Sequence, residues 1–353
     1  MTTDNDPVVP PDSVDGPTGD EVESHAAGEA DPPHPSVAVV VAPRSADWIE
    51  QAVVSGGGRI VGPAEASAVV WTAPSQPDEL AIVLDSVPGI EWVQLPWAGV
   101  DPYVDLMRTR RDLAWTSAKG VYAEPVAEHG LALLLAGFRN LGPYSRASTW
   151  SPPAGRNLLN ARVTILGGGG IARSLVRLLI PFRVEVTVVR RSTEGLGLDD
   201  AAAGFPDWGA GGGSLRVLGG DRLAEALDGA DALVLALPLL PETRRLIGQA
   251  ELARLAPGAW LVNLARGEHV DTDALLAALD LGILGGAALD VTDPEPLPDG
   301  HPLWHRDNVI ITPHTANTPE MARPLLSERI STNVAAYAAG RPFTGIVDPD
   351  LGY

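Results

Sequence analysis

The amino-acid sequence predicts an α/β protein of two domains, each built on a parallel, doubly wound sheet. Two series of short apolar runs alternate with helical stretches along its 353 residues. Uninterrupted apolar runs are typical of parallel strands that helices cover on both faces. A stretch rich in Pro, Ser and Gly at 142–159 separates the two series and indicates a crossing between domains. The length also suits two hydrophobic cores better than one.

The first series occupies about 37–141. Its predicted strands are Val37–Ala42, Ala68–Ala73, Glu91–Leu95 and Leu113–Ala118. A helix is predicted over Asp78–Val87, and a long apolar helix over Pro125–Leu141. Proline suits the start of this second helix, because its missing N–H would have no helical partner there.

The second series begins at Arg162. Its predicted strands are Val163–Leu166, Val184–Val189, Ala232–Leu237, Trp260–Leu264, Ala287–Val291 and Val309–Thr312. Six strands with helices between them match a Rossmann-type sheet. The glycine-rich stretch Ala201–Ser214 is predicted to be a flexible surface insertion. A helix over about Pro319–Ala339 is long enough to return to the first domain.

Composition excludes several classes of function. The formal net charge of −20 argues against nucleic acid as a partner, because phosphate binding needs a basic surface. The chain has no cysteine, and no His, Asp or Glu cluster shows metal-ligand spacing, so we predict no metal site. Since neither a membrane-length apolar run nor a secretory signal is visible, we expect a cytoplasmic protein with no membrane partner.

Residues 1–36 differ in composition from the rest of the chain. They contain many acidic residues and prolines and neither lysine nor arginine. Such a segment cannot bury enough apolar surface to offset the entropy lost on ordering. We therefore predict a disordered tail, with a solubilising role preferred over a docking role.

A glycine-rich turn follows the first strand of the second series. Val163–Leu166 leads directly into Gly167-Gly168-Gly169-Gly170-Ile171-Ala172. In a dinucleotide-binding turn the first glycine allows a sharp bend, the second lets the backbone approach the pyrophosphate, and a small third residue lets helix and strand pack closely. Gly167, Gly169 and Ala172 hold these positions, while Gly170 and Ile171 open the helix whose free N–H groups attract phosphate. The strand before and the helix after favour a cofactor site over a flexible loop.

The end of the next strand indicates which nicotinamide dinucleotide is bound. NAD sites usually place Asp or Glu there, to bind the ribose 2′-hydroxyl. Here the strand is followed by Arg190 and Arg191, and no carboxylate appears before Glu194. Guanidinium groups suit the 2′-phosphate of NADP, which accepts paired hydrogen bonds. We therefore predict NADP(H) as the preferred cofactor, with NAD(H) left open; a solvated basic loop is the alternative interpretation.

Several further motifs follow the glycine turn in a fixed order. They are Leu237-Pro238-Leu239-Leu240-Pro241-Glu242-Thr243-Arg244, Asn263-Leu264-Ala265-Arg266-Gly267-Glu268-His269-Val270-Asp271, Leu289-Asp290-Val291-Thr292-Asp293-Pro294-Glu295-Pro296 and Thr312-Pro313-His314-Thr315-Ala316. Together they resemble the D-isomer-specific 2-hydroxyacid dehydrogenase family over about 160–318. Val126-Ala127-Glu128-His129 and Leu95-Pro96-Trp97-Ala98-Gly99-Val100-Asp101 extend the resemblance into the first domain. Agreement of several motifs in one order is more specific than a glycine turn alone.

The resemblance implies a catalytic set of Arg266, Glu295 and His314. Arg266 would bind the substrate carboxylate and polarise the C2 carbonyl, a task suited to a planar cation. His314 would donate a proton to the developing alkoxide, or accept one in the reverse direction. Glu295 would hold the imidazole and favour its protonated form.

The resemblance also implies a set of binding residues. Backbone N–H groups at Trp97, Ala98 and Gly99 would bind the substrate carboxylate. Leu237, Pro238, Leu264 and Asp290 would line the cofactor, with Asp290 on the nicotinamide side. A structural role is preferred for Glu128 and His129, and the remaining histidines of these segments, His269, His301 and His305, stay unassigned.

These features predict the organisation and the activity of the chain. Residues 37–141 plus 316–353 would form a flavodoxin-like substrate domain and 142–315 a dinucleotide-binding Rossmann domain, with the cofactor cleft between them. No appended regulatory domain is expected after the last helix. By analogy with the family we expect a homodimer that interconverts a small 2-keto acid, of glyoxylate or hydroxypyruvate type, and its D-2-hydroxy acid.

Two alternatives remain open from the sequence. One is an NAD enzyme resembling phosphoglycerate dehydrogenase, which would need extra cations that the loop at 97–101 lacks. The other is a non-catalytic protein that senses dinucleotides. Such a sensor would not need to retain Arg266, Glu295 and His314 together.

Overall fold

Two parallel sheets organise the part of the chain that the computed structural model describes, residues 36–191 and 212–353. The predicted acidic tail and most of the predicted 201–214 insertion lie outside these residues. Every neighbouring pair of strands in both sheets is parallel. The predicted α/β class is confirmed.

The first sheet has five strands in the spatial order β2-β1-β3-β4-β5. They are β1 (Ala38–Ala42), β2 (Arg59–Ile60), β3 (Ala68–Trp71), β4 (Trp92–Gln94) and β5 (Ala114–Thr116). This is the strand order of flavodoxin-like sheets. Its helices are α1 (Asp47–Ser55), α2 (Pro77–Ser86) and α3 (Val104–Thr109). The strand β2 was not predicted, because its two residues are exposed and show no apolar pattern.

The second sheet has seven strands in the spatial order β12-β11-β10-β9-β6-β7-β8. They are β6 (Arg162–Leu166), β7 (Glu185–Arg190), β8 (Ser214–Gly219), β9 (Ala232–Leu235), β10 (Ala259–Asn263), β11 (Leu284–Leu289) and β12 (Val309–Ile311). The order reverses at β6, which pairs with β7 on one side and β9 on the other. Doubly wound sheets bind their ligands outside the carboxyl ends of the strands at such a reversal.

The prediction of six strands in this sheet was wrong by one strand, β8. A run of glycines precedes β8, and most of its side chains are exposed or half-buried. It pairs only with β7, at the edge of the sheet. Because an edge strand packs on one side only, its apolar pattern was too weak to separate it from the glycine-rich insertion.

Helix α4 (Ala123–Phe138) lies against the second sheet, and α5 (Leu141–Arg146) follows it where the sequence predicted only a loop. A Cβ added at Gly137 of α4 would lie 2.4 Å from the Trp260 ring in β10, which shows how closely helix and sheet pack. The remaining α-helices of the described residues are α6 (Gly170–Leu179), α7 (Leu223–Leu227), α8 (Gln249–Leu252), α9 (Thr272–Asp280) and α10 (Pro319–Ala338). The returning helix α10 packs against α1, since a Cβ at Gly56 would lie 2.5 Å from the Ser331 carbonyl oxygen. Among the described helices, none combines the length and hydropathy needed to cross a bilayer.

Candidate active site

The carboxyl ends of three neighbouring strands, β10, β11 and β12, lead into the loops that carry Arg266, Glu295 and His314. Parallel strands end at the same edge of a sheet, so these loops are neighbours. The loop of Arg266 touches the loop that leads to Glu295, since a Cβ at Gly267 would lie 2.0 Å from the carbonyl group of Thr292. The structure therefore brings the three predicted residues to one edge of the seven-stranded sheet.

His314 and Glu295 form a hydrogen-bonded pair. The imidazole Nδ1 lies 2.8 Å from Glu295 Oε1, and both side chains are about half exposed. The His314 backbone has φ of +50°, a left-handed conformation that non-glycine residues rarely adopt. Its backbone N–H donates to the carbonyl oxygens of Asp290 and Thr312, at 2.8 and 2.9 Å. Because Nδ1 is hydrogen-bonded to Glu295, the opposite nitrogen Nε2 is the one that can contact a substrate.

Arg266 reaches across to the loop that follows β4. Its Nε and Nη2 donate to the two carboxylate oxygens of Asp101 at 3.3 and 3.4 Å, while Nη1 donates to the Ala265 carbonyl oxygen at 2.7 Å. A Cβ at Gly99 would lie 1.8 Å from Nη2, so only glycine leaves room for this arginine. About a quarter of the Arg266 side chain is exposed, and its guanidinium lies beside the backbone of the 97–99 loop.

Asp290 is 2% exposed and fixes the loop that carries His314. One carboxylate oxygen accepts hydrogen bonds from Thr312 Oγ1 at 2.6 Å and the Thr315 N–H at 2.9 Å, and the other accepts from the Ala316 N–H at 3.1 Å. His129 of α4 places Nε2 3.5 Å from the same carboxylate. Burial acts to raise the pKa of Asp290, but these hydrogen bonds outweigh it and hold the pKa below its ordinary value.

His269 is a buried residue of the site to which the sequence assigned no role. Its Nδ1 lies 3.2 Å from the Arg266 backbone nitrogen and 3.0 Å from the Arg266 carbonyl oxygen, and its Nε2 lies 3.2 Å from the Pro238 carbonyl oxygen. Burial lowers the pKa of this imidazole, which favours the neutral form that can accept at Nδ1 and donate from Nε2. His269 therefore joins the Arg266 loop to the predicted cofactor-lining loop. No signal in the sequence marks it, because both partners are backbone atoms.

The glycine turn after β6 has the geometry that a dinucleotide requires. Gly167 has φ of +112°, and a Cβ there would lie 2.1 Å from the Ala236 carbonyl oxygen. A Cβ at Gly169 would meet no atom within 4 Å, so the backbone is open at the position where a pyrophosphate approaches. Gly170 and Ile171 begin α6, and Ala172, the third residue of this helix, is fully buried. These residues fit a nicotinamide dinucleotide.

Arg190, the last residue of β7, lies against this turn. A Cβ at Gly168 would lie 3.1 Å from Arg190 Cδ. The Arg190 Nη1 atom is buried, and within 36–191 and 212–353 it has no hydrogen-bond partner. A buried guanidinium nitrogen without a partner is costly unless a ligand supplies an acceptor. The neighbouring Arg191 donates from Nη2 to the Tyr353 hydroxyl at 2.5 Å.

The other predicted cofactor residues occupy two different environments. Leu237 and Pro238 follow β9; Leu237 is half-buried and Pro238 is exposed. Leu264 is buried, and its Cδ1 lies 2.6 Å from where a Cβ at Gly130 of α4 would be, so its side chain packs towards that helix. Among the described residues, no group of three His, Asp or Glu side chains could hold a metal ion.

An apolar cavity of about 270 Å³ adjoins the loop that contains Trp97, Ala98 and Gly99. Its aromatic walls are Trp48, Trp71, Trp97 and Tyr122, and Arg323 of α10 contributes a cation. Trp97 is 38% exposed and its ring lies 6.0 Å from that of Tyr122. Gly99 of this loop adjoins the Arg266 guanidinium, but Arg266, Glu295 and His314 do not line the cavity itself.

Comparison with known proteins identifies several relatives of this chain. Residues 213–316 match the family described as D-isomer specific 2-hydroxyacid dehydrogenase, NAD binding domain. The chain is 36% identical over 236 residues to glyoxylate/hydroxypyruvate reductase A of Serratia proteamaculans, which covers 65% of this chain and 69% of that protein. It is also 30% identical over 284 residues to a glyoxylate reductase of Thermofilum pendens; this alignment covers 77% of the present chain and 78% of the relative.

A solved structure shows the same fold. It is a D-isomer specific 2-hydroxyacid dehydrogenase from Xanthobacter autotrophicus Py2, in complex with NADPH and MES. The two chains are 29% identical and align with a TM-score of 0.74, over 90% of this chain and 100% of the other.

Proposed function

The chain belongs to the D-isomer specific 2-hydroxyacid dehydrogenase family, and we propose that it reduces a small 2-keto acid to a D-2-hydroxy acid with NADPH. Members of this family are NAD(P)-dependent oxidoreductases, so hydride transfer involving a C2 carbonyl is the reaction class of the chain. The observation that carries the proposal is that Arg266 and the hydrogen-bonded Glu295–His314 pair lie in loops at the same edge of the seven-stranded sheet.

In the proposed reaction Arg266 binds the substrate. Its guanidinium pairs with the substrate carboxylate in place of Asp101, and it polarises the C2 carbonyl oxygen. The backbone N–H groups of Trp97, Ala98 and Gly99 bind the same carboxylate. The nicotinamide ring, when bound, supplies the hydride that reaches the carbonyl carbon.

His314 completes the reduction by moving one proton. Its Nε2–H donates to the carbonyl oxygen as negative charge develops there, so that carbon gains the hydride and oxygen the proton. Glu295 holds Nδ1 and stabilises the imidazolium before the transfer. In the oxidative direction the same nitrogen accepts the hydroxyl proton.

We propose NADP(H) as the preferred cofactor, bound over Gly167, Gly169, Gly170, Ile171 and Ala172 and lined by Leu237, Pro238 and Leu264. Arg190 and Arg191 would meet the 2′-phosphate, and the buried Nη1 of Arg190 beside the glycine turn supports this. Asp290 acts through the His314 loop, since its carboxylate is engaged there. The Xanthobacter relative with bound NADPH is consistent with this choice.

The remaining parts of the proposal concern organisation. Residues 37–141 plus 316–353 would form a substrate domain and 142–315 the dinucleotide-binding domain, with α4 of the first range packed against the second sheet. We propose, by analogy with the family, that the protein is a cytoplasmic homodimer. We also propose that it has no nucleic-acid partner, because the chain is acidic.

A steady-state assay of the purified protein tests the activity. We expect NADPH oxidation with glyoxylate and hydroxypyruvate, a slower rate with NADH, and a D product where the product is chiral. The oxidation of 3-phosphoglycerate with NAD as the best activity would favour the phosphoglycerate dehydrogenase-like alternative. Tight NADPH binding with no turnover of any 2-keto acid would favour the dinucleotide sensor.

A further inference from the structure

The segment that leads to Tyr353 is fixed to the five-stranded sheet. Ile346 bridges to Thr116 at the end of β5, and the Val347 N–H donates to the Trp115 carbonyl oxygen at 3.0 Å. A tight turn over 348–353 follows, in which the Gly352 N–H donates to the Asp348 carbonyl oxygen at 2.8 Å. This turn therefore has a defined position on the first sheet.

An ion pair anchors the same turn. Arg111, just after α3, donates to both carboxylate oxygens of Asp350, and Arg108 Nε donates to the Pro349 carbonyl oxygen at 3.3 Å. Bidentate pairs of this kind restrict both partners. These contacts therefore fix the backbone that carries the Tyr353 side chain.

From this position Tyr353 contacts the second sheet. Its hydroxyl oxygen accepts a hydrogen bond from Arg191 Nη2 at 2.5 Å, and the Arg191 Cζ lies 5.2 Å from the ring centroid. Lys119 Nζ lies 5.1 Å from the same centroid. The ring is therefore near two cations, one after β7 and one after β5, both within the range in which an aromatic ring attracts a cation.

The turn also lies against the loop that follows β9. A Cβ at Gly352 would lie 3.5 Å from Leu240 Cδ2, and Glu242 of this loop places Oε1 3.9 Å from Arg191 Nη1. Arg191 adjoins Arg190 at the carboxyl end of β7, where doubly wound folds bind the ribose of the cofactor. A contact from the five-stranded sheet thus fixes a cation at the proposed 2′-phosphate position.

We propose that Tyr353 is a positioning residue for cofactor selection, which holds the Arg191 guanidinium ready for the 2′-phosphate of NADP(H). An arginine side chain that is already ordered loses less entropy on binding, so binding is stronger. The phenol uses one of five N–H donors, which leaves others for phosphate oxygens. This inference rests on the proposed NADP(H) function.

Binding measurements without substrate separate this role from catalysis. The probes are NADPH and NADH, together with adenosine 2′,5′-bisphosphate and AMP, which differ only in the 2′-phosphate. Tyr353→Ala is expected to weaken binding of NADPH and the bisphosphate by about threefold to tenfold, as loss of one hydrogen bond to a charged group implies at a partly exposed site. NADH and AMP should change by less than about twofold. Tyr353→Phe, which keeps the ring, should fall between the two proteins.

Two further variants make the result decisive. Leu351→Ala changes an exposed side chain of the same turn and should match the wild type. In an Arg191→Ala background, Tyr353→Phe should have no further effect, because the partner is gone. Equal weakening of NADPH and NADH by Tyr353→Ala, or an effect that persists without Arg191, would overturn the proposal. A wild-type protein that binds neither dinucleotide would instead overturn the proposed function itself.

Discussion

The Arg266 guanidinium is paired with the Asp101 carboxylate through two hydrogen bonds, of 3.3 and 3.4 Å, across the space between the two sheets. In the proposed reaction a substrate carboxylate takes this position. Asp101 therefore competes with the substrate for one cation. Each side chain retains about 30% exposure, so the pair is partly screened by water.

Removing this competition should favour the substrate. Asp101→Asn keeps the size of the side chain but removes its charge, and we expect the KM for the 2-keto acid to fall about twofold to fivefold, as a partly exposed ion pair implies. The change in kcat should be smaller. Asp105→Asn, at a highly exposed position in the same region, is the matched control. A KM that rises with Asp101→Asn would show instead that the pair is needed to orient Arg266.

Gly99→Ala should sharply lower activity without unfolding the protein. The added Cβ would lie 1.8 Å from Arg266 Nη2, so the guanidinium must move away from the substrate loop. Because the clash involves the end of a flexible side chain, the fold can accommodate it. We expect kcat/KM to fall at least about a hundredfold through lost positioning, with Tm almost unchanged. Gly62→Ala, where an added Cβ would meet no atom within 4 Å, should leave both kcat/KM and Tm unchanged.

His314→Ala should lower kcat by about a hundredfold to ten-thousandfold, because the proton donor is lost. Cofactor affinity should stay near the wild-type value, since the imidazole serves the substrate. Glu295→Gln should give a smaller loss, because the amide oxygen can still accept from Nδ1 without stabilising the imidazolium. Near-normal turnover in His314→Ala would remove this residue from the mechanism.

The sequence was sufficient to predict the strands that are apolar on both faces. The central strands β6 and β9 read as apolar runs because helices cover both of their sides. The edge strand β8 did not, since water meets much of its surface. Burial on both faces, rather than strand length, decided which elements could be found.

In the site, the sequence did not reveal contacts between residues that are far apart along the chain. His314 and Glu295 could be named from their motifs, and the structure shows their hydrogen bond. Arg266 and Asp101 are 165 positions apart, so their pairing could not be predicted from the sequence alone. His269 was missed for a different reason, because it contacts backbone atoms, which leave no pattern in side-chain identity.

Arg190→Ala should change cofactor choice rather than turnover. Loss of charge-assisted hydrogen bonds to a 2′-phosphate should raise the Kd for NADPH about tenfold to a hundredfold. The Kd for NADH should change by less than about twofold, because a 2′-hydroxyl gains little from a guanidinium. Arg177→Ala, at an exposed position on α6, controls for the loss of positive charge. Equal changes for both dinucleotides would contradict the assignment of Arg190 to the 2′-phosphate.

His269 should make the stability of the protein depend on pH. Its pKa is lowered by burial, so the unfolded chain binds a proton more readily than the folded one. The stability contributed by neutral His269 is therefore fully present above the unfolded pKa of about 6.5, and it is lost as the pH falls from there towards the lower folded value. Within that window the free energy of unfolding should fall by up to about 1.4 kcal/mol per pH unit from this group alone.

Urea unfolding at several values between pH 8 and pH 5 measures this slope. His269→Gln removes the titrating group, so its curve should be flatter than that of the wild type below about pH 6.5. His305→Gln, at an exposed position, should keep the wild-type slope. Parallel curves for wild type and His269→Gln would show that the folded protein accommodates a charged imidazole there. In that case the bridge from the Arg266 backbone through His269 to Pro238 could not depend on the neutral ring.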